Sequence, residues 1–462
     1  MMRKLWIIFK NRRGFFRRVL ELLARQAKNE SLLKFLIVRC PYILKRSCVS
    51  FLATIWVLLT SKQRRRRVVR KETWLLIDRP AEGRDSAQVL FEYLSENPLR
   101  CAGKRITPKY SVSVFTLCYW EMFFKHGPQH ILAYGGLRWA IHLKTASLLL
   151  SSQADADVVS PPLVSRPSPD LQPFVFLQHG VTRDDISSWL NSKPIDLIVA
   201  STQSEFDSFC INTSSYEFGP DRVVLSGLPR FDRLRKTPKP QTGRFHRAKS
   251  AAPGTVLVFP TWREYFMKPS SGLGGRRTNA ISDQFEAFVL DWLEIIGVAR
   301  SYFSADRDLK VVWLAHPNLE YGLRKLRLPS HISVVPYRSK KVDALYQQAV
   351  LGVTDYSSTF FNLAFLRKPT IFYQNQDFPL FGSGHPSVPG YYNFETMGPG
   401  PVVSDVREFS ESLRQYVEEG HYSNLFLDRA VREFSNTPQN SCEFLIDRIR
   451  NRFYGEETFG TI

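Results

Sequence analysis

Cysteine is scarce in this 462-residue chain, and the six present (Cys40, Cys48, Cys101, Cys118, Cys210, Cys442) form no CxxC pair and no Cys/His cluster. That spacing suggests neither a zinc site nor a disulfide framework, and a reducing compartment is the simplest inference. Acidic residues are nearly missing from the first 71 positions, where 20 Lys or Arg face only Glu21 and Glu30. Those positions carry +18 of the formal +20, and the other 391 residues carry +2, so the basicity belongs to an N-terminal extension and not to the body. A long uncharged run is also lacking. The best one, 47–61 (SCVSFLATIWVLLTS), has fifteen residues, short of the roughly 20 that a spanning helix needs. No small-residue cleavage site follows it, and it lies too deep for a signal peptide. The Gly-rich loop 270–277 (SSGLGGRR) lacks the Lys-Ser/Thr ending of a phosphate loop and does not open a helix directly after a strand. It reads as a surface loop, with a lid over a phosphorylated substrate as the lesser reading.

The extension mixes apolar and basic side chains: Phe15, Phe16, Val19, Leu20, Leu22 and Leu23 are interleaved with Arg17, Arg18 and Arg25. A second apolar patch runs from Leu32 to Ile37, and Lys62 with Arg64 to Arg67 closes the uncharged run. This pattern fits a basic amphipathic or shallowly inserted segment at an anionic membrane face. A small helical unit packed on the body is the first rival. A nucleic-acid arm fits worse, because phosphate-binding arms are solvated and this one is dense in Leu, Ile, Phe and Trp.

From Thr73 onward, short apolar runs alternate with helical patterns. Trp74 to Asp78 reads as a strand and 86–94 as an amphipathic helix, with 111–117 and 146–150 as further strands. Residues 151–170 are polar and Pro-rich, hence a loop. Strands at 175–178, 196–200 and 222–225 follow, with helices near 185–190 and 204–210. Residues 236–254, rich in Pro, Gly and Lys, read as an interdomain linker. A second series of strands then appears at 255–259, 310–315, 332–335, 350–354 and 370–373, and the tail after 405 reads as helical. The expected architecture is α/β, with two doubly wound parallel domains (72–235 and 255–404) facing a cleft and C-terminal helices (405–462) packing back across them.

Four buried strands end in polar residues, where open α/β sheets place ligands. The first ends in Gln178-His179-Gly180, followed by Val181, Thr182, Arg183, Asp184 and Asp185. A histidine there titrates near neutral pH, and Gly180 permits a close approach. The others end in Pro260-Thr261-Trp262-Arg263, in His316-Pro317, and in Asp355-Tyr356-Ser357-Ser358 at the start of a helix. Serines at a helix N-terminus cap amides that favour phosphate, and Arg263 with His316 adds charge beside them. Each feature alone has an ordinary reading as a cap, turn or surface residue; the set across two domains is harder to read that way.

The ordered motifs QHGVTRDD (178–185), SGLPRFD (226–232), PTWR (260–263), AHPN (315–318), DYSSTFFNLAFL (355–366) with KPTIFY (368–373), and GYYNFETMGPGP (390–401) resemble the CDP-glycerol glycerophosphotransferase family. The resemblance covers roughly 73–403. It implies the GT-B fold of two Rossmann-like domains and a peripheral enzyme at the cytoplasmic face of a bacterial membrane. The implied reaction needs no metal and no cofactor beyond a CDP-glycerol or related CDP-polyol donor. A hydroxyl of a membrane-linked acceptor would attack the β-phosphate and release CMP. It implies catalytic roles for His179, as base, and for His316, with Asp184 and Asp185 close enough to orient His179 or to replace it. Gln178, Gly180, Arg230, Thr261, Trp262, Arg263, Ser357, Ser358 and Asn362 are the expected donor- and phosphate-binding set. Two positions depart from the family pattern: Asn362 stands where an acidic residue is usual, and HGVTRDD replaces the common His-Gly-x-Pro/Trp continuation. Expected partners are the donor, the acceptor and an anionic membrane bound through 1–71, with no nucleic acid; self-association is left open. The rival readings are a nucleotide-sugar glycosyltransferase on the same fold and a non-catalytic scaffold for membrane or polyanion.

Overall fold

The strands begin where apolar, β-branched side chains crowd together, and their burial on both faces is what a parallel sheet covered by helices requires. In β1 (Lys71–Ile77), Trp74, Leu75, Leu76 and Ile77 are all fully buried. A computed structural model describes residues 45, 48–55, 71–161, 172–211, 213–236, 254–266, 282–303, 310–337, 339, 341–381, 388–419 and 423–456. All of the linker 236–254 except its two end residues, the loop 270–277, most of the extension, and residues 162–170 of the Pro-rich loop lie outside the described residues.

The first sheet contains β1, β2 (Arg100–Cys101), β3 (Lys104–Val112), β4 (Ile131–Ala133), β5 (Leu148–Ser151), β6 (Phe174–Phe176), β7 (Leu197–Ala200) and β8 (Val223–Leu225). Its order is β2-β3-β1-β5-β6-β7-β8, with β4 also on β3, and every pairing is parallel except the short β2–β3 hairpin. The second sheet contains β9 (Thr255–Val258), β10 (Lys310–Ala315), β11 (Ile332–Pro336), β12 (Ala349–Thr354), β13 (Thr370–Tyr373) and β14 (Val402–Val403). It is wholly parallel in the order β11-β10-β9-β12-β13-β14. That is the doubly wound order, in which the strand sequence reverses between the first and fourth strands and opens a crevice there. The reversal falls between β9 and β12 in this sheet and between β1 and β5 in the other.

Alternation along each strand sends side chains to two cores. Leu75 and Ile77 join Leu149, Phe174, Phe176, Ile198 and Ala200 on one face of the first sheet. Trp74 and Leu76 face the other way, into a core that also holds Leu257, Phe259, Val312, Leu314 and Phe372 of the second sheet. One apolar cluster therefore runs through both sheets. Polar ties reinforce it: Arg233 pairs with Asp343, and Gln347 Nε2 donates to Leu234 O at 2.7 Å. The last helix, Ser441–Tyr454, returns to the first sheet. Its first amides, Ser441 N and Cys442 N, donate to Asp232 at 2.8 Å each, and Trp74 Nε1 donates to Tyr454 Oη at 2.9 Å.

The expected strand at 111–117 is corrected: β3 ends at Val112, a turn follows, and Leu117 opens the helix Leu117–His126. Apolar content misled here, because Phe115 and Leu117 are exposed. Within the 47–61 run, residues 48–55 are helical, with Ala53 fully buried against the first sheet and Leu52 half exposed. No described helix is long and apolar enough to cross a membrane.

Candidate active site

Both strand-order reversals open onto one cleft of about 440 Å³, within the size range of small-molecule sites. From the first sheet it receives Arg79 and Asp85 after β1, Gln153 after β5, and the run His179 to Asp184 after β6, with Arg230 from the helix Pro229–Lys236. From the second it receives Pro260 and Thr261 after β9, His316 after β10, Tyr337 after β11, and Tyr356, Ser357 and Ser358 after β12. The walls nearly touch: a methyl built on Gly180 would lie 3.8 Å from Ser358 Oγ. A larger residue at 180 would narrow the gap between domains, which is the physical use of glycine there.

His179 stands open to the cleft, with the Ser152 backbone hydrogen-bonding its ring. Enclosure in the cleft, and then the Arg79 and Arg230 guanidiniums, push its pKa down from 6.5 to about 4. The imidazole is therefore neutral at physiological pH, the form that accepts a proton. Arg79 Nη2 donates to Gln153 Oε1 at 3.2 Å, and Arg230 Nη1 donates to Tyr337 Oη across the cleft at 3.4 Å. Burial lifts the Asp85 carboxyl to about 7 against the pull of Arg230, with Asp78 adding to the rise. Asp78 itself fills the N-terminus of the helix Ser86–Glu96. Its carboxylate accepts from Asp85 N, Ala87 N and Gln88 N at 3.0 Å each and from Tyr110 Oη at 3.0 Å. That helix end already holds an anion, so an anionic ligand in this cleft would have to draw its donors from the guanidiniums and the second domain.

On the second side, His316 caps the helix Pro317–Lys325 through Nδ1, which accepts from Asn318 N at 3.2 Å. Its ring lies nearly parallel to Trp262, 15° between planes and 6.2 Å between centroids. Thr261 lines the cleft while its N–H and its hydroxyl both donate to Asp355 Oδ1 at 2.8 Å.

Five expected site residues are placed elsewhere. Gln178 is buried in the left-handed region (φ 57°), its amide turned beneath the sheet edge toward Val199 O and Glu205. That backbone costs about 1–2 kcal/mol for a residue with a Cβ. Arg263 is buried as the partner of Asp355 and donates to Phe378 O at 2.9 Å; a buried guanidinium needs such a carboxylate. Trp262 lies behind His316 and does not line the cavity. Asn362 sits inside the helix Phe360–Phe365, its Nδ2 donating to Thr359 O at 3.0 Å. The Ser187 side chain, and then Ser187 N at 2.8 Å, hydrogen-bond the Asp185 carboxylate and hold it below the usual range, and the Asp185 backbone bridges to Val388. Asp184 does line the cleft but is paired with Arg183 at 2.8 Å. Sequence reasoning passed over Arg79, Asp85, Gln153, Arg183 and Tyr337. The signal was present, since Arg79, Gln153 and Tyr337 directly follow apolar strands, as His179 does.

Comparison with known proteins identifies the fold and the family. The chain is 26% identical over 394 residues to the minor teichoic acid biosynthesis protein GgaB of Bacillus subtilis (strain 168), covering 83% of this chain and 39% of that protein. It is 25% identical over 219 residues to the teichoic acid poly(glycerol phosphate) polymerase of the same organism, covering 44% of this chain and 25% of that one. The chain thus spans well under half the length of these curated relatives. Among solved structures, the wall teichoic acid polymerase TagF superposes with a TM-score of 0.60 at 16% identity, covering 95% of this chain and 97% of that one. An S. aureus MnaA–UDP complex gives 0.52 at 14%, covering 85% and 100%. These likenesses show the GT-B fold. The model of the CDP-Glycerol:Poly(glycerophosphate) glycerophosphotransferase family matches residues 59–449, and the chain belongs to that family.

Proposed function

We propose that this chain transfers a polyol phosphate, glycerol phosphate or a close relative, from a CDP-activated donor to a hydroxyl of a membrane-linked acceptor. The acceptor oxygen forms a bond to the β-phosphorus, the bond from that phosphorus to the CMP oxygen breaks, the acceptor proton passes to His179, and CMP leaves. The observation that carries the reading is the facing of a neutral imidazole on one sheet edge by Ser357, Ser358 and His316 on the other, with Arg79, Arg183 and Arg230 between them. Phosphoryl transfer needs alignment and charge compensation more than covalent help. Here guanidiniums supply the compensation, and the proposal assigns no role to a metal. Full turnover in EDTA is the expected outcome, and loss restored by added magnesium would refute that part.

The membrane-linked acceptor is supported by the flank of the cleft. Phe115, Leu117 and Phe124 are 96%, 78% and 78% exposed, beside half-exposed Trp120. The Arg84–Glu121 ion pair at 2.5 Å and the Ser113 N to Pro80 O bond at 2.9 Å fasten this apolar face to the loop that carries Arg79 and Asp85. Aromatic side chains at that place suit the interface of a peripheral enzyme at the cytoplasmic membrane face, where an acceptor carried by lipid would be presented. The test of the reaction is incubation with CDP-glycerol, CDP-ribitol and nucleotide sugars. CMP release supports the proposal; UDP or GDP release without CMP identifies a glycosyltransferase instead, and no nucleotide release leaves only a binding role.

A further inference from the structure

We infer that Glu205 is a positioning residue for His179, clamping the two ends of the loop that carries it; the inference rests on the proposed reading of His179 as the proton acceptor. His179 sits between Gln178, held in a left-handed conformation, and Thr182. Both neighbours are fastened to the same carboxylate. Glu205 Oε1 accepts from Gln178 Nε2 at 3.0 Å and from Thr182 N at 2.6 Å, and Oε2 accepts from Ser201 N at 2.6 Å. A further bond, Thr182 Oγ1 to Gln178 Oε1 at 2.6 Å, closes the ring from one end of the loop to the other. Glu205 is itself fully buried and does not line the cleft, so it acts only through these partners.

Its origin is a helix-start pattern put to another use. Thr202-Gln203-Ser204-Glu205 is a Thr-x-x-Glu sequence, and Thr202 Oγ1 accepts from Glu205 N at 3.2 Å, as in a capping box. The reciprocal bond of a capping box would return the Glu side chain to the Thr202 amide. Here the side chain reaches Ser201 and the 178–182 loop instead. Burial lifts the Glu205 carboxyl to about 7 against the hydrogen bonds from Thr182, Ser201 and Gln178. Each oxygen receives a backbone N–H, an arrangement that the ionised form accepts in full. An imidazole displaced by about 1 Å loses on the order of 10²-fold in rate while the donor still binds. That is the signature of a residue that positions without touching substrate.

The test compares Glu205→Ala and Glu205→Gln in the wild-type and His179→Ala backgrounds, with CMP release from CDP-glycerol and the His179 imidazole NMR signal as readouts. Glu205→Ala is expected to lower kcat about 10²-fold with the donor KM within about twofold. Glu205→Gln, which keeps one acceptor oxygen, is expected to recover part of that rate and serves if the alanine variant does not fold. In the His179→Ala background neither change should lower the rate further. A full additional loss there, or an unmoved imidazole signal in Glu205→Ala, overturns the clamp. A moved imidazole signal in a protein whose wild type releases no CMP would fault the donor assignment and leave the clamp supported.

Discussion

At the scale of single residues, the cleft is a problem in charge. Arg79 and Arg230 lower the proton affinity of His179, which keeps the ring neutral but also makes it a weaker base. On the proposed function, a bound diphosphate would offset those charges and strengthen the base when the donor arrives. The sign of the resulting prediction is fixed. Because the folded-state pKa is depressed, activity in kcat/KM falls as pH drops through that pKa. Removing a neighbouring positive charge raises the pKa and moves the acid limb upward. Arg79→Gln is therefore expected to shift the acid midpoint of the kcat/KM profile to higher pH, and a shift to lower pH would contradict the electrostatic account. Asp85, lifted by burial to about 7, titrates well above the His179 limb. Asp85→Asn separates its contribution, since it removes that group and leaves the His179 limb in place.

At the scale of elements, the second domain's strand ends are joined beneath the cleft by one buried ion pair. Asp355 follows β12 and Arg263 follows β9, each with 2% of its side chain exposed, and Thr261 and Tyr356 hang their amides on the same carboxylate. Arg263→Met leaves that carboxylate buried without its partner and is expected to cost about 3–5 kcal/mol in denaturant unfolding. A cost under about 1 kcal/mol would show that Asp355 finds compensation elsewhere. A second junction is the approach of Gly390 to the first domain's loop, where a Cβ would meet Arg183 O at 2.3 Å and the Asp185 N at 2.8 Å. Gly390→Ala is expected to lower the melting temperature and to weaken turnover, since the backbone it displaces continues from His179.

These same elements show what was legible in the sequence. Apolar runs such as 74–77, 256–258 and 311–315 announce buried strands because a parallel sheet hides both faces. β3 was displaced in the reading because KRITPKYSV begins charged and contains Pro108, which removes a ladder donor. The site was legible as a set of strand ends but not as side-chain directions. Gln178 and His179 are adjacent, yet one turns under the sheet and the other into the cleft. Arg263 and Asn362 looked like ligand contacts because their burial depends on partners, Asp355 and the Thr359 carbonyl, that come from distant or local backbone geometry. Glu205 was invisible as a site residue because its effect passes through a fold contact 23 positions from Thr182.

At the scale of the whole molecule, the apolar cluster shared by both sheets and the returning helix Ser441–Tyr454 hold the two walls of the cleft in register. The exposed face at Phe115, Leu117, Trp120 and Phe124 lies on one flank of that cleft, which predicts that membrane contact and access to the acceptor are coupled. A Phe115→Ser, Trp120→Ser, Phe124→Ser variant is expected to lose most of its sedimentation with anionic liposomes while keeping its turnover of a water-soluble acceptor. Retained sedimentation would assign membrane contact to the basic residues 1–71 alone. The central claim, that one wall takes the acceptor proton while the other holds the activated phosphate, is tested most directly by His179→Ala. CMP release from CDP-glycerol should fall by about 10²-fold or more, with the Kd for CDP-glycerol measured by calorimetry unchanged. Full turnover in that variant, or loss of donor binding in place of loss of rate, would contradict it.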